Sequence, residues 1–391
     1  MKLVILTGWY PNQVVVEDGL SVRNQAKALW DAGIDVSVVS ISMMRQYASK
    51  GIFFPKITKT FYEGLPQYSI EGFHPSRNGR LLFEHYNRLV FHPLNRYIKE
   101  RGLPDLIHVH NYTIGMAALW MKQKHNIPFV VTEHSTSFMD GWVPKSHRPY
   151  IEQIFEGAEE VFGVSTALAE AMRHYTNKEV KVLPNFIDTD LFTPVIETEQ
   201  INRPPRLITV STFNQRKQVN VLIEAMPKVL EEYPGTTLDI VGYGEKEASL
   251  KSLVSRMDLE KQVIFQGPAS QAEVANHLRS SGLYVSASKT ETFGVVYTEA
   301  LACGLPVVAL DSGGVRDMVE HGVNGYIVHE EKDLTKYILK ALSTYSSFDT
   351  EQIVERCRQA FGIPSNVKRH KDLYAQIQAR YSSDTTTKED V

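Results

Sequence analysis

Glu291 and Glu299 stand with seven residues between them, on either side of Phe293-Gly294. Ionised carboxylates accept hydrogen bonds from pairs of sugar hydroxyls. The residues after Gly294 favour a helix over about Val295–Cys303. Gly304 and Pro306 close it, as a glycine past the last turn and a proline beyond it close helices. The N–H groups of Thr292 to Val296 at the mouth of that helix lack intrahelical acceptors. They lie at the positive end of the helix dipole, which suits an anion. At helical rise the two carboxylates are at most roughly 12 Å apart, about the span from a ribose through a diphosphate to a sugar. The chemistry this combination allows is the holding of a nucleotide-sugar. The same pair is otherwise a surface glutamate and a glutamate favoured by the dipole, so the surrounding elements must decide.

A short apolar strand, Leu283–Ala287, leads into the polar turn Ser288–Thr292. A second strand, Val307–Leu310, follows the helix, and Ser312-Gly313-Gly314 makes the next loop. Similar strand–helix steps fill the chain. Leu3–Thr7, Ile34–Ile41, Leu106–Val109, Pro128–Thr132, Val161–Val164 and Val180–Leu183 read as strands of a first series, with Ser21–Ala32 its first helix. Leu207–Val210, Leu238–Val241, Val263–Phe265, Leu283–Ala287, Val307–Leu310 and Gly325–Val328 form a second series, in which Val221–Tyr233 is the plainest helix. Continuous apolar strands separated by helices specify an α/β fold of doubly wound parallel sheets. In such sheets ligands sit outside the carboxyl ends of the strands.

The expected layout is two Rossmann-like domains facing across a cleft. Residues 1–183 form the N-terminal, acceptor-side domain and 206–365 the C-terminal, nucleotide-sugar-binding domain. The proline-rich stretch 184–205 connects them. A helix at 366–381 returns to the first domain, and the polar tail 382–391 is expected to be disordered. A chain of 391 residues, 43% hydrophobic, exceeds one ordinary core and suits two.

A net charge of −3 gives no case for a nucleic-acid partner. Two distant cysteines, Cys303 and Cys357, have no metal or redox spacing and fit a reduced, cytoplasmic chain. No apolar run reaches the roughly 18 residues that span a bilayer, and the run after Lys2 is too short for a secretory signal. One region departs from the bulk. Between Ile41 and Gly102 ten Lys or Arg face four acids, a local +6, with Phe53, Phe54, Phe61, Tyr62, Phe83, Tyr86 and Phe91 interleaved. It reads as an ordinary solvated face with core aromatics, or as a surface for an anionic membrane or a lipid-phosphate acceptor, on which each basic residue would contribute about 1 kcal/mol.

Other motifs carry less. Asp188-Thr189-Asp190 has a metal-diphosphate spacing but lies after a Pro-Asn turn. Gly242-Tyr243-Gly244 lacks the third glycine of a dinucleotide fingerprint. His108 and His110 alternate at a strand end, which suits core packing or a site edge better than a metal pair. No Ser–His–Asp or Cys–His arrangement is evident.

The stretch from Ser286 to Val328 closely resembles the donor site of retaining GT-B glycosyltransferases of glycosyltransferase family four, whose Glu-x7-Glu signature matches Glu291 and Glu299. Other segments agree in order: Gly8-Trp9-Tyr10-Pro11 with Asp18-Gly19, Thr132-Glu133-His134, Val164-Ser165, Leu183 to Asp188, Lys217, and Val241 to Gly244. The resemblance runs from Met1 to about Tyr381 and is weakest in 41–102. It implies that Glu299 accepts from ribose hydroxyls and Glu291 from hydroxyls of the donor sugar. Thr292 and the backbone N–H groups of Phe293, Gly294 and Val295 would touch sugar and phosphate. Lys217 would neutralise the diphosphate, His134 would lie near the reacting centre, and Gly19 and Gly242 would let backbone approach the nucleotide. Two positions depart from the family. Its usual arginine five residues before the lysine is Thr212 here, and its glycine after the lysine is Gln218. Arg216 or Arg316 is left to supply a second phosphate cation.

The resemblance further implies metal-independent transfer with retention, no cofactor, and a glycan or lipid-linked acceptor in cell-envelope polysaccharide or lipopolysaccharide assembly. The donor is expected to be uridine-linked, and the enzyme peripheral on the inner membrane face. A soluble small-molecule acceptor, or a non-catalytic nucleotide-sugar-binding protein, are the alternatives. A sugar-nucleotide epimerase of similar architecture is disfavoured by the glutamate spacing.

Overall fold

The computed structural model describes residues 1–12, 19–43, 47, 53–73, 79–194 and 206–386. They divide into two compact units, one of 1–186 with 366–391 and one of 187–365. The division falls after Phe186 rather than at the expected 183.

The first unit is built on eight strands: β1 (Lys2–Thr7), β2 (Asp35–Met43), β3 (Lys56–Tyr62), β4 (Leu65–Gly72), β5 (Leu106–His110), β6 (Phe129–Glu133), β7 (Val161–Gly163) and β8 (Val180–Val182), in the order β3-β4-β2-β1-β5-β6-β7-β8. Leu3 to Thr7 are fully buried, as a strand covered on both faces must be. The chain first winds outward from β1 through helix α1 (Leu20–Asp31) to β2, and later returns to the other side of β1 at β5. The winding therefore reverses between β1 and β5, and the loops leaving those two strands diverge into a crevice.

Strands β3 and β4 are an antiparallel hairpin at the edge of a sheet expected to be parallel throughout. They lie in the basic, aromatic region for which the sequence reading offered no element. Glu63 and Gly64 both have positive φ, 46° and 88°, which makes the two-residue turn whose twist suits a hairpin. Helices α2 (Gly79–Leu89) and α3 (Phe91–Arg101) complete the region. Asp18 and Arg45, Lys50 and Arg77 of the basic set lie outside the described residues.

The second unit has six strands, all parallel: β9 (Arg206–Val210), β10 (Thr237–Val241), β11 (Val263–Gly267), β12 (Leu283–Ser286), β13 (Val307–Leu310) and β14 (Gly325–Val328), in the order β11-β10-β9-β12-β13-β14. Leu207, Ile223, Leu238, Ile240, Leu283, Val285 and Val308 lie at its centre. Here the winding reverses at β9, which has β10 on one side and β12 on the other.

The last helix runs over Ile363–Thr386, longer at both ends than expected, so 382–386 are helical and only 387–391 of the expected tail lie outside the described residues. Polar composition alone does not stop a helix whose preceding turns are already docked. Tyr374 of this helix is fully buried in the first unit, its hydroxyl 2.7 Å from Nδ1 of buried His108. Lys371 donates to the carbonyl of Ala32 at 2.6 Å, and Arg380 pairs with Glu160 at 3.0 Å.

Tyr374→Phe leaves the His108 nitrogen without its hydroxyl partner in a dry core. The expected cost is about 1–3 kcal/mol of unfolding free energy. Urea unfolding of the whole chain reads this as a lowered midpoint at unchanged slope.

Candidate functional site

In the second unit β9 and β12 are neighbours, with Leu207 opposite Leu283 and Ile208 opposite Tyr284. Their outgoing loops therefore emerge side by side. After β9 the chain turns at Asn214, whose Oδ1 accepts from the backbone N–H of Arg216 and of Lys217, each at 3.1 Å. This turn aims two successive cations towards the β12 loop. Gln218 then takes a left-handed conformation, φ 45°, to open helix α4 (Val219–Glu232). A left-handed position is where glycine is the default and a glutamine is uncommon.

The target of both cations is Glu291. Its Oε1 is ion-paired with Nζ of Lys217, and its Oε2 lies 3.6 Å from the guanidinium of Arg216, which also donates to the carbonyl of Thr290 at 2.6 Å. The backbone of Glu291 is fixed on both sides. Its N–H donates to Ser312 at 2.8 Å, and its carbonyl accepts from Gly314 at 2.9 Å. Glu291 and Lys217 are largely shielded from water, whereas the Arg216 side chain is about one-third exposed.

Three residues on, Gly294 (φ 88°) opens helix α5 (Val295–Ala302). A Cβ at 294 would lie 2.5 Å from the Tyr297 ring, so glycine is required on both counts. Phe293 is buried with its ring 5.6 Å from Phe361, while Thr292 and Val295 stay half-buried at the helix mouth. Gly242, after β10, approaches the β9 loop so closely that a Cβ would stand 1.9 Å from the carbonyl oxygen of Ser211.

Glu299 lies on α5 with 6% of its surface exposed, and its carboxylate has no hydrogen-bond or ion-pair partner among the described residues. Loss of water pushes its pKa up to about 7. A buried carboxylate without a protein partner is costly in the folded chain and leaves its acceptor positions open to a ligand.

The two candidates for the second cation separate here. Arg216 stands in the cluster. Arg316 makes a bidentate pair with Asp311, 2.7 and 2.8 Å, and is largely exposed. The hydroxyl of Thr212 accepts from the Asn214 amide at 3.1 Å and so buttresses the turn.

The first unit has its own cluster at the ends of β1, β5 and β6. Gly19 (φ 69°) precedes α1, and a Cβ there would lie 2.3 Å from the Trp9 carbonyl oxygen. His134, just past β6, is half-buried, 5.8 Å centroid to centroid from the Trp9 ring. Its Nε2 is 2.9 Å from Nδ1 of His110, and His110 stacks on His108 at 4.4 Å. The far nitrogen of His108 lies 2.8 Å from the Thr132 hydroxyl. Burial lowers the pKa of all three. They are neutral, so the row binds by hydrogen bonds rather than charge. Glu133, fully buried, accepts from the backbone N–H groups of Tyr112 and His134, yet burial still pushes its pKa up to about 7.

Sequence reasoning placed Glu291, Glu299, Lys217 and His134 but not their supports. The Asn214 turn, the Asp311 clamp, and His110, Thr132 and Tyr374 behind His134 were missed as a set. The His-x-His alternation was the available signal, since i and i+2 share one face of a strand. Asp188 uses its carboxylate to accept from the N–H groups of Asp190 and Leu191, each at 3.0 Å, as a turn cap. Among the described residues no group of three or more His, Cys, Asp or Glu is placed to hold a metal.

Comparison with known proteins adds the family. Residues 196–359 match the family model for Glycosyl transferases group 1, and residues 19–191 match that for Glycosyltransferase Family 4. N-acetyl-alpha-D-glucosaminyl L-malate synthase of Bacillus anthracis is 30% identical over 247 residues, 59% of this chain and 62% of that one. Alpha-monoglucosyldiacylglycerol synthase of Streptococcus pneumoniae is 24% identical over 274 residues, 64% of this chain and 62% of that one. The match thus spans about three fifths of the length of these two relatives. Among solved structures, sucrose-phosphate synthase from Thermosynechococcus elongatus superposes with a TM-score of 0.77 at 22% identity, covering 97% of this chain and 100% of that one; the likeness is of fold.

Glu299 makes stability depend on pH. Between pH 4.5 and 7 the folded chain keeps a proton on Glu299 that the unfolded chain releases, so this residue's contribution to stability falls as pH rises through that window. Glu299→Gln removes the loss. It is expected to raise unfolding free energy by about 1–3 kcal/mol at pH 8 and to change little at about pH 3, below both pKa values, where both states are protonated. Thermal melts at the two pH values measure the difference.

Proposed function

We propose a reaction for this chain, which belongs to glycosyltransferase family four and has the GT-B fold. It transfers a sugar from a nucleotide-sugar, uridine-linked by preference, to an acceptor, with retention of anomeric configuration and without a metal. One observation carries this reading: Lys217 and Arg216 converge on Glu291 at the mouth of α5, beside the buried, unpartnered carboxylate of Glu299.

Glu299 has the burial and free acceptor capacity to bind the two ribose hydroxyls. Lys217, Arg216 and the first N–H groups of α5 supply positive potential for the diphosphate, with Lys217 the more shielded of the two cations. Glu291 accepts from hydroxyls of the donor sugar. As the glycosidic bond breaks, negative charge grows on the diphosphate, and these fixed donors stabilise it. The acceptor oxygen attacks from the face that the diphosphate leaves, and a phosphate oxygen takes the acceptor proton. His134, held by His110, is assigned a contact with the transferred sugar.

For the acceptor, the surface of the first unit favours a glycan or lipid-linked molecule at an anionic membrane. Phe53, Phe54, Phe61 and Leu81 are 58 to 85% exposed, amid the basic residues of 41–102. No described helix is long and apolar enough to cross a membrane, so the attachment would be peripheral. The relative named for L-malate favours a second reading, a small soluble acceptor, whereas the diacylglycerol-named one favours the first.

Glu299→Ala is expected to weaken donor binding by roughly tenfold or more (about 1.4 kcal/mol per tenfold). Lys217→Ala should lower turnover more than binding. Calorimetry and initial rates over a panel of UDP-, GDP- and ADP-sugars test both, and wild-type values for both variants refute the site. Co-sedimentation with anionic liposomes tests the acceptor reading. Binding that is lost in Arg88→Glu/Arg96→Glu supports the membrane version, and no binding by the native chain sinks it.

A further inference from the structure

Glu291 and a diphosphate need the same partners. The carboxylate is paired with Lys217 and lies 3.6 Å from Arg216, the two cations assigned above to the phosphates. The backbone that carries it has little freedom to withdraw. Its N–H and carbonyl are tied to Ser312 and Gly314, and Gly314 packs so tightly on Phe293 that a Cβ there would stand 2.5 Å from the Phe293 carbonyl oxygen. A buried negative charge therefore stands beside the two cations assigned to the phosphates. The intact donor answers it with sugar hydroxyls that donate to the carboxylate. The released nucleoside diphosphate has no such donors. Its terminal phosphate also gains a second ionisation, with a pKa near about 6, so it carries more negative charge at neutral pH.

We propose that Glu291 discriminates against the nucleoside diphosphate product. It competes for Lys217 and Arg216 and repels the bare terminal phosphate, so that the site holds the donor and expels the product once the sugar has left. This rests on the donor-site reading above and adds to it a charge-based route for product release. The usual role of such a residue, contact with sugar hydroxyls, predicts that its loss weakens every ligand or leaves the diphosphate alone. Competition predicts the opposite sign for the diphosphate.

The test is calorimetric titration at pH 8 of UDP, GDP and ADP, and of their glucose-linked forms, into the whole chain and its variants. Glu291→Gln keeps shape and removes charge. It is expected to bind the preferred diphosphate roughly tenfold more tightly, about 1.4 kcal/mol, to gain less or lose affinity for the nucleotide-sugar, and to show stronger product inhibition. The gain should shrink when Lys217 is already methionine, because Glu291 acts through that cation. Glu291→Ala should change affinity in the same direction and serves if the glutamine variant does not fold. Unchanged or weaker diphosphate binding in the folded Glu291 variant, while Glu299→Ala still weakens it, overturns the inference and leaves the donor site standing. No effect of either Glu299→Ala or Lys217→Met, or no binding by the native chain, overturns the donor-site reading and the inference with it.

Discussion

The ion pair between Lys217 and Glu291 joins two loops that lie 74 residues apart in the chain. It exists because β9 and β12 run parallel and adjacent, at the point where the sheet reverses its winding. Everything nearby serves to hold that meeting in place. The Asn214 turn presents Arg216 and Lys217 together, Ser312 and Gly314 fix the backbone of Glu291, and Gly294 lets α5 begin without striking Tyr297. A one-residue slip of either strand would turn its own side chains to the opposite face, because strand side chains alternate.

Against this compensated pair stands an uncompensated group. Glu299 sits a little further along α5, buried and without a partner, so the fold tolerates a carboxyl that would be more stable protonated. The contrast supports the different tasks proposed for the two glutamates. A carboxylate neutralised by cations competes for them with an arriving anion. A carboxylate with empty acceptor positions awaits neutral donors such as hydroxyls. The family's two-glutamate signature thus corresponds, in this chain, to two electrostatic environments set by neighbours rather than by the glutamates themselves.

The departures from the family pattern have a local answer. Thr212 cannot bring a charge, and its hydroxyl is engaged by Asn214. Arg216 lies one residue before the lysine and reaches the same carboxylate, so a second cation is present from a different position. Gln218 occupies a left-handed turn, at some backbone strain, so the loop geometry survives the loss of the expected glycine. Arg316, the other candidate, is held by Asp311.

Much of this was legible in the sequence. Short continuous apolar strands, divided by helices, pointed to the class of both units, because a parallel sheet covered on both faces buries such runs. The glycine at 294, the glycine at 304 and the spacing of Glu291 and Glu299 placed a helix with carboxylates at its mouth and on its body. The hairpin at Glu63-Gly64 escaped notice because its outer strand is half-exposed and alternates weakly, and only pairing with β4 makes it a strand. The partners of each charge were also beyond reach. Residue spacing along a chain says nothing about which of Arg216 and Arg316 meets Glu291 and which meets Asp311, since that depends on strand order. Sequence determined which groups could do chemistry and on what kind of element each stands. Tertiary structure decided which of them are paired, which are buried without a partner, and hence which charges are free to act.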